Sequence, residues 1–285
     1  MEGFAGSAIQ LSVLDKPLHL PSGTALIFTH ILNPFGMSWL RRANENNVDL
    51  NRNFIANGNY SGAPPQYAAV DNFLNPKSPP SRDFFLPRSG LLFLKYGIRT
   101  TLQIVAGGQY EFPKAVFFGG KTLEPELQQY HAFLATQLRS VQNAVAIDVH
   151  TGIGRFGKDL LIVERDVYTR MREIFGPRVI LSEPRGLPSY QIRGGHNLLV
   201  SHALPNADVR FVTQEFGTYN PVTVFHALRE ENRWHHYGDG SLTHATKQTM
   251  KEIFCPRNEQ WRQNVLARGR EVFEQALQQL GTVRN

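Results

Sequence analysis

Apolar residues along this chain fall into short runs and helical stripes divided by polar, Gly- and Pro-rich breaks. Apolar positions 5, 8, 9, 11 and 14 lie at roughly helical spacing, and Pro17, Pro21 and Gly23 end that element. Ala25-Leu26-Ile27-Phe28 is a continuous apolar run with turn signals on both sides, which predicts a fully buried strand. Residues 41–63 are polar and Asn/Gly-rich, too irregular for a core element and long enough for a functional loop. Helical patterns follow at 66–74, 82–105 and 124–142, and then a strand at 144–149. The stretches 159–163 and 179–181 read as further strands around a helix at 166–175, and 209–216 as the last strand. Helices at 221–235, 243–254 and 258–280 close the chain, the last with Trp261, Val265, Val272 and Leu277 on one broad face. Strands separated by helices predict an α/β layered fold with a largely parallel sheet, read as one domain over residues 1–285. Functional groups are then expected where strands end.

Composition narrows the function classes. The 285 residues are 41% apolar and 19% charged, enough for one substantial core. No apolar stretch reaches membrane-spanning length, and no basic segment followed by an apolar one opens the chain, so it is read as cytoplasmic, with no membrane partner. The net charge is +6, but Lys and Arg are scattered singly or in pairs, which argues against nucleic acid and leaves some attraction for anionic substrates. The single cysteine, Cys255, precludes an internal disulfide and reads as a buried structural thiol. Gly107-Gly108 and Gly119-Gly120 form no phosphate-binding fingerprint, which sets a nucleotide-binding role aside.

Three polar segments carry the candidate chemistry. Asp148-Val149-His150 ends a strand with two polar side chains on one face, and Thr151-Gly152-Ile153-Gly154 then opens space for a ligand to approach the backbone. His150 reads as either a metal ligand oriented by Asp148 or a hydrogen-bonded core histidine. Glu215, in Val212-Thr213-Gln214-Glu215-Phe216-Gly217, is either paired structurally or poised as a base, since carboxylates are seldom buried alone. Asn51-Arg52, preceded by Arg41-Arg42, suits bidentate capture of a substrate carboxylate, with a loop arginine paired to a nearby Asp as the alternative. His30, His196, His202, His226 and the pair His235-His236 are weaker candidates, the pair reading as a surface or capping feature.

Asn33-Pro34-Phe35-Gly36, Arg41-Arg42, Asn47-Val48-Asp49-Leu50-Asn51-Arg52-Asn53-Phe54, Asp148-Val149-His150-Thr151-Gly152-Ile153-Gly154 and Gln214-Glu215-Phe216-Gly217 together resemble the zinc carboxypeptidase superfamily. That superfamily includes aspartoacylase and succinylglutamate desuccinylase, and the likeness is greatest to a poorly characterised bacterial branch of metallopeptidases. It spans residues 2 to 240 and implies a three-layer fold, a mixed, mostly parallel sheet with helices on both faces. It also implies one zinc ion, with cobalt or manganese acceptable to the same ligand types. Glu2 matches the glutamate of the His-x-x-Glu zinc motif, His150 the third zinc ligand, and Glu215 the glutamate that activates a zinc-bound water. Asn51 and Arg52 match the pair that holds the substrate carboxylate, and Arg42, with Arg41 beside it, the arginine that polarises the scissile carbonyl. Tyr190 and Tyr219 both compete for the family's substrate-covering tyrosine. The first ligand of the motif falls two residues before Met1, so the chain is read as an N-terminally shortened form lacking early strands. The expected activity is hydrolysis of an amide bond next to a free carboxylate, in a small peptide or an N-acyl amino acid. The alternative is a metal-free, non-catalytic carboxylate-binding remnant.

Overall fold

The computed structural model describes residues 1–182 and 191–282. Its helices are α1 (Gly3–Leu14), α2 (Pro34–Ser38), α3 (Tyr67–Leu74), α4 (Phe85–Ala106), α5 (Pro125–Gln137), α6 (Tyr168–Phe175), α7 (His196–Ala203), α8 (Pro221–Tyr237), α9 (Ala245–Phe254) and α10 (Glu259–Thr282). Its strands are β1 (Asn143–Gly152), β2 (Asp159–Val163), β3 (Val179–Leu181) and β4 (Asp208–Gly217). They form one sheet in the order β1-β4-β2-β3, with β1 parallel to β4, β2 parallel to β3, and β2 antiparallel to β4.

Because side chains alternate along a strand, the apolar runs of β1 and β4 feed two cores at once. Ala144, Ala146, Val209 and Phe211 pack under α5 and α7, against Leu127, Leu134, Leu199 and Val200. Val145, Ile147 and Val212 face the other way, against Met171 and Phe175 of α6 and Val272 and Ala276 of α10. On that second side α1 adds Ala5 and Ile9, which meet Trp261, Val265 and Phe216. Helices therefore cover both faces of a mixed, mostly parallel sheet, the α/β architecture expected. Parallel pairing brings the C-terminal ends of β1 and β4 together, with His150 beside Glu215 in register.

Several elements depart from expectation. Ala25–Phe28 has no regular secondary structure and pairs with no strand among the described residues. It and β1, an edge strand of the sheet, line a cavity of about 780 Å³. Nor is the run buried: Ala25 and Ile27 are exposed and Leu26 and Phe28 only half-buried, so both the burial and the pairing expected of it are absent. The helix expected at 124–142 stops at Gln137. Two helices had no signal: α2, of five residues, whose start is fixed by the Asn33 side chain accepting from Gly36 N–H at 2.7 Å, and α7, of eight. α4 is broken at Gly97, whose φ of 73° lies in the glycine-favoured region.

The stretch 41–63 is irregular as expected, yet its first part, to Phe54, is mostly buried, with Arg41, Asn44, Asp49, Arg52 and Asn53 at 5% exposure or less, while residues 55–63 lie at or near the surface. Its asparagines take the place of ladder hydrogen bonds. The Asn47 amide donates to the Pro113 and Ala115 carbonyls, and that of Asn53 to Gly119 and Thr122.

Candidate functional site

The C-terminal ends of β1 and β4 place Asp148, His150 and Glu215 on the sheet face that α7 covers. Helix α1 starts beside them and delivers Glu2. Both ring nitrogens of His150 meet carboxylates: Nδ1 lies 2.7 Å from Glu2 Oε2 and Nε2 lies 2.9 Å from Asp148 Oδ2. Glu2 also accepts from the Arg42 guanidinium, whose Nε donates to Asp49 at 2.8 Å. Asp148 takes a second histidine, His196 Nδ1 at 3.3 Å, while His196 N–H donates to the Asn51 side chain at 3.2 Å. The His196 Nε2 is buried and has no hydrogen-bond partner. Glu2, Arg42, Asn51, Asp148, His150 and His196 all line the cavity of about 780 Å³.

Charge follows this geometry. Burial alone would lower the His150 pKa, but the Asp148 and Glu2 carboxylates outweigh it and hold it well above its ordinary 6.5. Burial opposes ionisation of Glu2, yet Arg42 and His150 pull its pKa down to about 2. Asp148, under the same burial, is held well below its usual range by His150 and His196. Glu215 goes the other way: burial, with the Glu2 charge adding to it, pushes its carboxyl up to about 7. The His150 charge, the Arg42 charge and a hydrogen bond accepted from Ile153 N–H at 2.8 Å oppose this rise without overcoming it. Asp148→Asn is expected to lower the His150 pKa, since one of its two carboxylate partners disappears; a histidine proton titration by NMR reads the shift.

The structure thus brings Glu2, Arg42, Asn51 and His150 to one cavity wall, with Glu215 beside His150. It directs Arg41 and Arg52 elsewhere. The Arg41 Nε lies 3.2 Å from Glu231, in a buried cluster with Lys247. Arg52 donates twice to the Ala106 carbonyl and once to Asn51 O, clamping the end of α4. The sequence reading left Asp49 without a role and ranked His196 low. The signal for Asp49 was its place between arginines 42 and 52, and His196 gave none beyond its residue type.

The glycines after His150, Gly152 and Gly154, take φ of 150° and 123°, in the region that favours glycine, and a Cβ on Gly152 would lie 3.6 Å from Glu215 Oε1. A Cβ on Gly217 would lie 2.3 Å from the Arg155 carbonyl oxygen, so the turn after β1 closes directly onto the end of β4. Tyr219 stands edge-on to Phe156 and donates to Glu252 at 2.9 Å, and Tyr190 lies outside the described residues. His30 is hydrogen-bonded to Ser7 and His226 packs on Phe85. His131 and His202 pair at 2.9 Å. His235 and His236 are half-buried rather than on the surface, and burial next to Arg41 lowers them to about 3 and about 4. Burial pushes the Cys255 thiol up, consistent with an inert group.

A catalytic zinc takes three protein donors and needs its histidines neutral. Glu2 and His150 converge, but they are bonded to each other, and both ring nitrogens of His150 are already taken by carboxylates. Among the described residues no group of three or more His, Cys, Asp or Glu side chains is placed to hold a metal ion. As arranged, this donor set does not fit a catalytic zinc.

One family model, described as a protein of unknown function (DUF2817), matches residues 1–268. No curated protein and no solved structure matches the chain.

Proposed function

The chain belongs to the DUF2817 family, and from the geometry of its strand-end site we propose that it is a hydrolase of amide bonds next to a free carboxylate, of the kind found in the zinc carboxypeptidase superfamily. The observation that carries this reading is Glu215: a buried carboxyl with a pKa of about 7, in register beside His150. Such a group accepts a proton from an attacking water and returns it to the leaving nitrogen as the C–N bond breaks, near neutral pH. His150 and Arg42 put two cations beside the developing negative charge. Asn51, on the cavity wall, and Arg42, on giving up its bond to Glu2 or Asp49, would meet a substrate carboxylate. These steps need only this chain's residues, and a metal-dependent form requires the Glu2–His150 pair to open and a further donor to arrive.

A second reading, a non-catalytic carboxylate-binding protein, is favoured by the Glu2–His150 bond itself, because a pair already satisfied has less to gain from a metal. Calorimetric titration with zinc and then with small N-acyl amino acids and peptides separates the two. Carboxylate binding with slow amide turnover supports hydrolysis. Binding without turnover, with or without zinc, supports the binding protein.

A further inference from the structure

We propose that the outward side of α4 is a peripheral docking surface for an anionic lipid bilayer, a role that rests on no part of the hydrolase reading. Scattered exposed leucines are ordinary, but a cluster of large ones is not. Over residues 84–98, Phe84 is 82% exposed, Leu86 69%, Leu91 63%, Leu94 84% and Ile98 55%. Both segments of this broken helix already have their inward side satisfied: Phe85 before Gly97 and Ile104 after it pack with Tyr67, Val70, Phe73 and Leu74 of α3. The exposed side chains therefore have no role in the core.

Charge selects the partner. From Phe84 to Tyr110 the chain has no acidic residue, while Arg82, Arg88, Lys95 and Arg99 are all exposed. Asp83, just before the helix, is taken up by Arg229 and Arg233. A second copy docking through this face would bring these cations against their own counterparts, which is unfavourable. An anionic surface neutralises them. The most exposed residues, Phe84 at 82% and Leu94 at 84%, keep most of their surface in solvent, so they can enter the headgroup–acyl boundary without a shaped partner. Among the described residues no helix is long and apolar enough to cross a membrane, so the contact is interfacial. The sequence pattern hides this surface, because a helix apolar on several sides reads as core.

Co-sedimentation tests it with two vesicle preparations, phosphatidylcholine alone and phosphatidylcholine with about one-third phosphatidylglycerol. The expected result is partitioning onto the anionic vesicles at least about tenfold stronger than onto neutral ones, weakening with salt. A Leu91→Glu/Leu94→Glu variant and an Arg88→Glu/Lys95→Glu/Arg99→Glu variant should each drop to the neutral-vesicle level with an unchanged circular dichroism spectrum. Absence of binding, equal binding to both vesicles, or binding that neither variant reduces overturns the proposal. A dimer in sedimentation velocity that Leu91→Glu/Leu94→Glu dissolves, without vesicle binding, assigns the surface to a second copy instead.

Discussion

Glu215→Gln is expected to make the folded protein more stable at pH 8, by on the order of 2–3 kcal/mol, and to leave its stability nearly unchanged at pH 4. Folding raises this carboxyl from its ordinary 4.5 to about 7, with burial as the largest cause. Between those values the folded state holds a proton that the unfolded state has released, so stability falls as pH rises through the window and stays reduced above it. Glutamine cannot ionise and keeps an oxygen for the Ile153 N–H, so the penalty disappears while the contact remains. At pH 4 both forms are neutral and the difference closes. Urea unfolding of the two proteins at the two pH values measures it, and a variant less stable at pH 8 would mean that Glu215 is held as a carboxylate. A base that costs stability while at rest fits a group retained for chemistry.

Glu231→Ala carries the largest expected loss. This carboxylate sits between two buried cations, 3.2 Å from Arg41 Nε and 2.5 Å from Lys247 Nζ, all three side chains at most 4% exposed. Burial already lowers the pKa of both cations, and the Glu231 charge opposes that. Removing it leaves two like charges facing each other out of water, at a cost of about 3–5 kcal/mol. Glu231→Gln, which retains the acceptor oxygen without the charge, should lose less. Equilibrium unfolding in urea is the readout; a loss below about 1 kcal/mol would reduce the cluster to the value of a surface pair. The effect extends to the site, because Arg41 anchors the turn from which Arg42 reaches Glu2 and Asp49.

All four strands and most helices were legible in the sequence because their apolar runs, even the three residues of β3, are bounded by turn residues. Ala25–Phe28, expected as a fully buried strand, neither pairs nor is buried, because a four-residue apolar run carries no information about whether another element lies beside it to cover it. α7 was missed because eight residues opening with His-Asn show too little periodicity. The site divides in the same way. His150 and Glu215 stood out locally as single ionisable groups at the ends of apolar runs. Their side-by-side register depends on pairing between strands far apart in the chain, which no local pattern carries. Arg41 and Arg42 look equivalent in sequence, but neighbours in a turn point different ways, one into the Glu231 cluster and the other to the cavity. Arg52 matched a binding motif whose guanidinium this fold spends on Ala106.

The measurement that bears most directly on the strand-end site is amide turnover by this chain on N-acyl amino acids and short peptides, with and without added zinc, compared with Glu215→Gln. The account predicts hydrolysis confined to substrates with a free carboxylate next to the scissile bond, reduced about 10²–10⁴-fold in the variant while the fold persists. Turnover that Glu215→Gln leaves intact, or carboxylate binding with no hydrolysis of any amide, would contradict it.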